Sequence, residues 1–193
     1  MYNNKEYIDG IVEKSKPEII TFLQEMIRIN TENPPIKSDE FIKYFNAKLK
    51  SYNFETEVVG KEGRPNIIAK VKGNNEGKTL ILNPHFDVVP AGGGWSVQPY
   101  GGELIDGKIY GRGSYDCKGR IAVYASAMRL IKESSLPFNG EIILATTCDE
   151  ETGGAEGAKY LLEEGLLRGD MCIGEGSDEM LYAQVGPIVI HGT

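Results

Sequence analysis

The chain has 193 residues, of which 40% are hydrophobic and 25% charged, the composition of one globular domain with its own core. Its 21 basic and 28 acidic residues give a net charge of −7 without a block of like charge, which argues against nucleic acid or an anionic membrane as partner. Three cysteines without C-x-x-C spacing, a polar amino terminus and the lack of an apolar run of roughly 18 residues predict free thiols and a soluble, cytoplasmic protein.

The first 50 residues have the apolar spacing of helices. Residues 1–30 are predicted to be helical, with Pro17 suited to a first helical turn. The apolar face of this helix is Ile19, Phe22, Leu23, Met26 and Ile27. The segment "TENPP" (31–35) ends it, and Ser38 is the expected N-cap of a second helix. The apolar face of the second helix is Phe41, Tyr44, Phe45 and Leu49.

From residue 55 onward, short apolar runs indicate strands. Three such runs follow one another at 55–60, 66–73 and 78–83, and the turn "NNEG" connects the last two. The pair Asp106-Gly107 in "ELIDGKIYG" predicts a hairpin.

Helices and strands then alternate. A helix is predicted with Ile121, Tyr124, Ala125, Met128 and Ile131 on one face. A strand at 140–148, a helix at 155–167 and a strand at 170–174 follow. This order predicts the α/β class: three layers, with a mostly parallel sheet and helices on both faces.

Histidine and acidic residues directly follow the predicted core strands. His85 and Asp87 follow "TLIL", Asp149, Glu150 and Glu151 follow "IILATTC", Glu175 follows "MCIG", and Asp116 lies between the hairpin and a helix. Any one of these segments alone is best explained as a solvated loop. Ligands of open α/β sheets bind at the carboxyl ends of the strands, so the four segments together predict one site.

Imidazole and carboxylate are ligands for zinc, cobalt or manganese. Asp87 lies two residues from His85 in extended chain, on the same side, where it can accept the second imidazole N–H and fix the tautomer. Of the adjacent Glu150 and Glu151, one is expected to coordinate metal and the other to act as general base, and spacing alone does not decide which.

Four segments together resemble one enzyme family. In order and spacing, "HFDVVP", "DGKIYGRGSYDCKG", "CDEETGG" and "IGEGS" resemble the zinc-dependent metallopeptidase/deacylase family of acetylornithine deacetylase, succinyl-diaminopimelate desuccinylase, aminoacylase and carboxypeptidase G. The likeness extends from about residue 17 to the end of the chain. The chain differs from the family at Phe86, where threonine is usual, and at Cys117, where methionine is usual; both are expected to alter the pocket lining without touching a ligand.

The resemblance implies a site with two metal ions bridged by one aspartate. Asp116 is implied as the bridging carboxylate, with His85 and Glu175 as ligands of one metal and Glu151 as a ligand of the other. The family pattern also implies a cis peptide bond between Asp116 and Cys117. The metal is expected to be zinc, two ions per complete site, with cobalt or manganese as substitutes.

The resemblance also implies the reaction. It is metal-dependent hydrolysis of an amide bond in a small-molecule substrate, either an N-acyl amino acid or a small peptide, so the protein is expected to be a deacylase or peptidase. Glu150 is implied as the general base that takes a proton from water and passes it to the leaving amine. Asp87 is implied as the residue that positions His85.

The resemblance further predicts that part of the enzyme is missing. Family members take a second histidine ligand from near the end of a chain about twice this long, and a dimerising lid domain is inserted before it. Residues 1–185 are therefore predicted to form the amino-terminal part of the catalytic domain and residues 186–193 the first strand of the lid. A homodimer is expected only through that lid, and His191 is predicted to be a strand residue instead of a ligand.

The sequence offers two alternatives to a self-sufficient hydrolase. A phosphate site is disfavoured, because "GNNEGKT" has three residues between its glycines where a P-loop needs four, and "GRGSYD" has Asp116 where a dinucleotide motif needs glycine. A catalytically incomplete fragment stays open: one half of a split gene that binds metal but needs the carboxy-terminal part.

Overall fold

The computed structural model describes residues 4–134 and 136–174 of the chain. Its helices are α1 (Asn4–Arg28), α2 (Asp39–Ser51), α3 (Lys118–Glu133) and α4 (Ala158–Glu163), with a short 3₁₀ helix at Glu150–Thr152. Its strands are β1 (Glu55–Lys61), β2 (Arg64–Lys72), β3 (Asn75–Leu82), β4 (Glu103–Ile105), β5 (Lys108–Tyr110), β6 (Asn139–Thr146) and β7 (Met171–Ile173).

Five strands form one mixed sheet in the order β1-β2-β6-β3-β7. β1 and β6 both run antiparallel to β2, whereas β3 runs parallel to β6 on one side and to β7 on the other. Leu82 lies beside Leu144 of β6 and Ile173 of β7, so these three strands end at the same edge of the sheet. β6 lies between β2 and β3, which are consecutive in the sequence. The expected parallel arrangement is therefore confirmed for β6, β3 and β7, while β1 and β2 make the sheet mixed.

Helices cover both faces of the sheet, so the predicted three-layer α/β architecture is confirmed. On one face, α1, α2 and α3 enclose a core whose largest members are Phe22, Met26, Phe41, Phe45, Leu49, Ile67, Ile121, Met128 and Leu144. On the other face, α4 and the segment after it pack on the sheet through Leu161 and Leu167, against Ile68, Ile81 and Ile143. The apolar face predicted for the second helix is confirmed at Phe41, Phe45 and Leu49, which are fully buried.

Local details of the helices differ from the sequence-based expectations. Pro17 lies inside α1 instead of in a first turn, at an exposed position where water can hydrate the carbonyl that loses its N–H partner. Ser38 precedes α2 as predicted, but its side chain makes no capping hydrogen bond. The predicted hairpin is confirmed, with left-handed backbone at both Asp106 (φ 49°) and Gly107 (φ 76°). The helix predicted at 155–167 is shorter, since α4 ends at Glu163.

A buried lysine joins α1 to the start of α3. The Nζ atom of Lys118 donates hydrogen bonds to the carbonyl oxygens of Met26 (3.0 Å) and Ile29 (2.7 Å), at the end of α1 where carbonyls lack helical partners. The same atom lies 5.7 Å from the centroid of the Phe41 ring. Burial lowers the pKa of Lys118 to about 7.

Three further expectations concern the termini, the cysteines and membranes. The predicted strand at 186–193 and His191 lie outside the described residues, so the division of the chain at residue 185 stays a prediction. All three cysteines lie within the described part, and none forms a disulfide bond. Among the helices at 4–134 and 136–174, none has the length and apolar character required to span a bilayer.

Candidate metal centre

The segment after β3 continues as extended chain between two others. On one side His85 forms a parallel bridge with Thr147, and Phe86 N donates to the Thr147 carbonyl at 3.0 Å. On the other side Val88 bridges Glu32. Phe86 is fully buried and stacks on Phe41 with ring centroids 4.7 Å apart. It packs in the core, whereas the sequence had led us to expect that it would alter the lining of the site.

The His85 ring is almost fully buried, and its two nitrogens have different surroundings. Nδ1 lies 2.9 Å from the backbone oxygen of Asp87 and 3.3 Å from its carboxylate Oδ1. Both neighbours are acceptors, the surroundings expected of a protonated Nδ1 in an imidazole whose Nε2 binds a cation. Nε2 faces carboxylate oxygens of Asp116 at 3.0 Å and Glu150 at 3.7 Å. The predicted approach of Asp87 to His85 is present, and the backbone oxygen of Asp87 is closer than its carboxylate.

Asp87 connects the imidazole to the glutamate segment. Its carboxylate is fully buried and accepts hydrogen bonds from the backbone N–H groups of Glu150 and Glu151, each 3.2 Å, and from the Asn33 amide at 2.9 Å. Burial by itself raises the pKa of Asp87, but the hydrogen bonds from His85, Asn33 and Glu150 outweigh it and keep the pKa below its ordinary value. Asp87 is therefore an anionic link between the two parts of the site.

Glu150 and Glu151 lie in the tight turn after β6. Asp149, which precedes them, has a left-handed backbone (φ 72°). The turn is closed by Gly157, where a Cβ atom would lie 2.1 Å from the Cys148 carbonyl oxygen, so only glycine fits. The two glutamates are thus placed by backbone geometry at the edge where β3, β6 and β7 end.

The side chains that meet here form two overlapping donor groups. In the first group, one nitrogen of His85, one oxygen of Glu150 and one oxygen of Glu151 all lie within 4.8 Å of one another. Ligand atoms of His85, Asp116 and Cys117 form the second group by the same criterion. The His85 Nε2 atom lies 3.0 Å from Asp116 and 3.7 Å from Glu150, separations that suit atoms sharing one cation at bond lengths of ~2.0–2.3 Å, so these residues fit a divalent metal.

Charge and exposure are unevenly distributed in the cluster. Burial, with the charges of Asp116 and Asp87 nearby, raises the pKa of Glu151 above its ordinary value. The side chains of Asp116 and Glu150 are 60% and 46% exposed, whereas that of His85 is 1% exposed. The carboxylates of Asp116 and Glu150 are therefore accessible from solvent, while the imidazole behind them is held in the protein.

The structure brings together five of the six residues predicted for the site. His85, Asp87, Asp116, Glu150 and Glu151 converge, whereas Glu175 lies outside the described residues. The implied cis peptide bond is present between residues 116 and 117.

Cys117 lies beside the candidate ligands, in the lining of the site. Its buried sulfur lies within 4.8 Å of ligand atoms of His85 and Asp116. A substitution at residue 117 therefore changes the immediate surroundings of the proposed metal.

Two polar residues next to the site were not predicted. Asn33 lies in the "TENPP" segment, which sequence reasoning used only as a helix end, and Arg64 begins β2. Arg64 pairs with Asp149 at 3.2 Å. The sequence indicates this polar support only through Asp149, which directly precedes the two glutamates. Nothing local in the sequence indicates the partners of Asn33 and Arg64.

The fold and the cluster define the class: an α/β protein with a candidate metal centre where its parallel strands end. A family model described as peptidase family M20/M25/M40 matches residues 81–188, more than half of the chain and the part that contains every predicted site residue. The chain belongs to this family, and the resemblance inferred from its four segments is confirmed.

Individual relatives agree with this assignment. Succinyl-diaminopimelate desuccinylase from Wolinella succinogenes is 36% identical, over 92% of this chain and 50% of its own length. Aminoacylase-1 from Dictyostelium discoideum is 31% identical, over 91% and 46%. The fold resembles that of the M20 family metallo-carboxypeptidase Sso-CP2 from Sulfolobus solfataricus, with a TM-score of 0.73, 24% identity, and coverage of 83% of this chain and 37% of that one. The chain thus spans about half the length of the curated relatives.

Proposed function

We propose that this chain carries the metal centre of a hydrolase that cleaves the amide bond of an N-acyl amino acid or small peptide. Family membership and the names of the relatives, a desuccinylase and an aminoacylase, support this reaction class. The metal is zinc, with cobalt or manganese as substitutes, and a complete site holds two ions. The substrate is a small molecule.

The proposed ligands are His85, Asp116, Glu151 and Glu175. In a loaded site Asp116 would help to hold both ions, with His85 and Glu175 holding one of them and Glu151 the other. The observation that carries the proposal is the environment of the His85 Nε2 atom. With Nδ1 protonated, the lone pair of Nε2 faces the Asp116 carboxylate oxygen at 3.0 Å. A cation between these two atoms would satisfy both.

Glu150 is the proposed general base and Asp87 the residue that positions His85. A bound divalent cation supplies Lewis acidity, which polarises the substrate carbonyl and lowers the pKa of water. Glu150 takes a proton from water and delivers it to the leaving amine; its half-exposed carboxylate, 3.7 Å from the His85 ring, supports this role. Asp87 keeps the proton on Nδ1, so Nε2 stays available to the cation.

The first experiment measures zinc binding to the metal-free chain by competition with a chromophoric chelator. Asp116→Asn keeps the size of the side chain but removes its charge, and we expect zinc affinity to fall by more than the roughly 10–100-fold typical of an outer-sphere partner. Asp106→Asn is the matched control, because Asp106 lies in the hairpin turn, where asparagine tolerates the left-handed backbone. Equal zinc affinity of Asp116→Asn and the unmodified chain would refute the metal site.

The second experiment separates the base from the ligands. Glu150→Gln should bind zinc but lose activity toward a panel of N-acyl amino acids and dipeptides by roughly 10²–10⁴-fold, since a positioned base contributes about that much. Glu163→Gln, an exposed glutamate of α4, is the control. Unchanged turnover by Glu150→Gln would end the assignment of the base, and lost zinc binding would make Glu150 a ligand.

A second candidate is a chain that binds metal but needs a complementary carboxy-terminal part to hydrolyse its substrate. The observation that favours it is coverage, since the matched relatives are about twice as long as the aligned region. It predicts tight binding of at most one zinc ion and little or no turnover by the 193-residue chain. Two tightly bound zinc ions with normal turnover would exclude it.

A further inference from the structure

The turn that carries Glu150 and Glu151 is fixed from both sides by side chains outside the proposed ligand set. Ahead of the pair, Asp149 is buried, and its Oδ2 accepts a hydrogen bond from the backbone N–H of Glu156 at 3.1 Å. After the pair, the hydroxyl of Thr152 donates to Oδ1 of Asp149. The residues that flank the glutamates therefore contact each other.

Asn33 joins this turn to Asp87. Its amide nitrogen donates one hydrogen bond to Oδ2 of Asp87 (2.9 Å) and another to the Thr152 hydroxyl (3.0 Å), so both amide protons are used. Asn33 is 1% exposed, and its own backbone N–H donates to the Val88 carbonyl at 2.9 Å. Its position is therefore fixed relative to the segment that carries His85 and Asp87.

Arg64 completes the connection from β2. Its Nη1 atom lies 3.2 Å from Oδ1 of Asp149 and 3.5 Å from the side-chain oxygen of Asn33. The Arg64 guanidinium thus contacts Asp149, which precedes the glutamate pair. It also contacts Asn33, whose amide reaches Thr152 after the pair. Charge-assisted hydrogen bonds of this kind are stronger than neutral ones and impose direction.

We propose that Asn33 is a positioning residue of the metal centre: it sets the distance between His85 and the glutamate pair by linking Asp87 to Thr152, with Arg64 and Asp149 as its support. The inference rests on the proposed metal-binding function. Asn33 touches neither the metal nor the substrate; it acts through Asp87 and through the turn. Deleting its amide removes the side-chain link between Asp87 and Thr152, so that the turn is held to the segment of His85 by the backbone N–H groups of Glu150 and Glu151 on Asp87, while every proposed ligand stays in the chain.

The test compares zinc affinity and folding stability in four proteins: the unmodified chain, Asn33→Ala, Thr152→Val and the double variant. We expect Asn33→Ala to remain folded and to bind zinc roughly 10–100-fold more weakly, as for other outer-sphere partners. Thr152→Val should weaken binding in the same direction. The double variant should be less impaired than the product of the two single effects, because both substitutions remove the same Asn33–Thr152 hydrogen bond.

Asn46→Ala is the matched control. Asn46 accepts a hydrogen bond of 2.8 Å from Thr56, between α2 and β1, so its substitution removes a structural amide without involving the glutamate turn. It should lower the urea midpoint and leave zinc affinity unchanged. A merely structural role of Asn33 predicts the same pattern for Asn33→Ala.

The outcomes separate this inference from the function on which it rests. If the unmodified chain does not bind zinc, the proposed function fails. If it binds zinc and folded Asn33→Ala binds equally well, the positioning role is overturned while the metal site stands. If Asn33→Ala does not fold, Thr152→Val decides, because Thr152 lies at an exposed position of the turn: unchanged zinc affinity overturns the inference, and weakened affinity supports it.

Discussion

The Tyr100 hydroxyl donates a 2.7 Å hydrogen bond to Oε1 of Glu32, across 68 residues of sequence. The same oxygen accepts the backbone N–H of Ala91 at 3.2 Å, and Oε2 pairs with Lys37 at 2.9 Å. Glu32 thus fastens the long loop after the His85 segment to the chain that follows α1. The hydrogen bonds from Tyr100, Lys37 and Ala91, in that order, lower the pKa of Glu32 to about 2.

This lowered pKa predicts a defined acid sensitivity. Because the pKa of Glu32 is about 2 in the folded chain and 4.5 in its ordinary state, the stability it contributes is fully present above pH 4.5 and is lost as the pH falls toward 2. We expect Glu32→Gln to lower the free energy of unfolding by about 1–2 kcal/mol at pH 7, a figure that allows for solvent screening of a side chain 21% exposed.

Urea unfolding at pH 7, 4 and 3 checks this expectation. The difference between Glu32→Gln and the unmodified chain should shrink from pH 7 to pH 3. Glu62→Gln, at an exposed position between β1 and β2, is the matched control. A difference that is constant with pH would mean that the Glu32 charge contributes nothing.

The segments that carry His85 and the two glutamates were predictable because each follows a core strand. Apolar runs marked the ends of β3 and β6, and the alternation of an extended chain placed His85 and Asp87 on one side. The convergence of parallel strand ends then brought His85 close to Glu150. These are local rules combined with one topological rule, so a single sequence was sufficient.

The supporting residues were not predictable in the same way. Asn33 meets Asp87 across 54 residues, Arg64 meets Asp149 across 85, and Lys118 meets Ile29 across 89. Each contact depends on how α1, β2 and α3 pack, and no periodicity or short motif encodes that. The insertion of β6 between β2 and β3 was missed for the same reason, since strand order in a sheet is a tertiary property.

A second prediction concerns the buried lysine that ends α1. Lys118→Met keeps the length and packing of the side chain but removes the only hydrogen bonds that Lys118 gives to the carbonyls of Met26 and Ile29 among the described contacts. The Ile29 carbonyl is then left without a donor among the described residues, and the Met26 carbonyl keeps the Ile29 N–H alone, which should reduce the free energy of unfolding by about 1–3 kcal/mol. Urea unfolding measures this. Lys43→Met, at an exposed position of α2, is the control, and an equal effect of both variants would contradict the capping role.

A third prediction concerns the closure of the glutamate turn. In Gly157→Ala the new methyl group would lie 2.1 Å from the Cys148 carbonyl oxygen, so the backbone must shift, and we expect a loss of about 1–3 kcal/mol in stability. Zinc affinity should fall too, because the shifted backbone leads directly into Glu150. Gly93→Ala is the control, since its methyl group would meet nothing within 4 Å. Thermal unfolding of both variants measures the loss of stability, and zinc titration measures the loss of zinc affinity.

The last prediction separates a positioning carboxylate from a ligand. Asp87→Asn removes the charge that faces His85 Nδ1, but the backbone oxygen of residue 87 stays 2.9 Å from that nitrogen and still accepts its proton. We therefore expect zinc affinity to fall only about 10-fold, the lower end of the range for outer-sphere partners. In ¹⁵N NMR spectra of the metal-free chain, the His85 tautomer protonated at Nδ1 should remain the major neutral form. A loss of zinc affinity as large as that of Asp116→Asn would instead make Asp87 a ligand, and the assignment of the two aspartates would have to be revised.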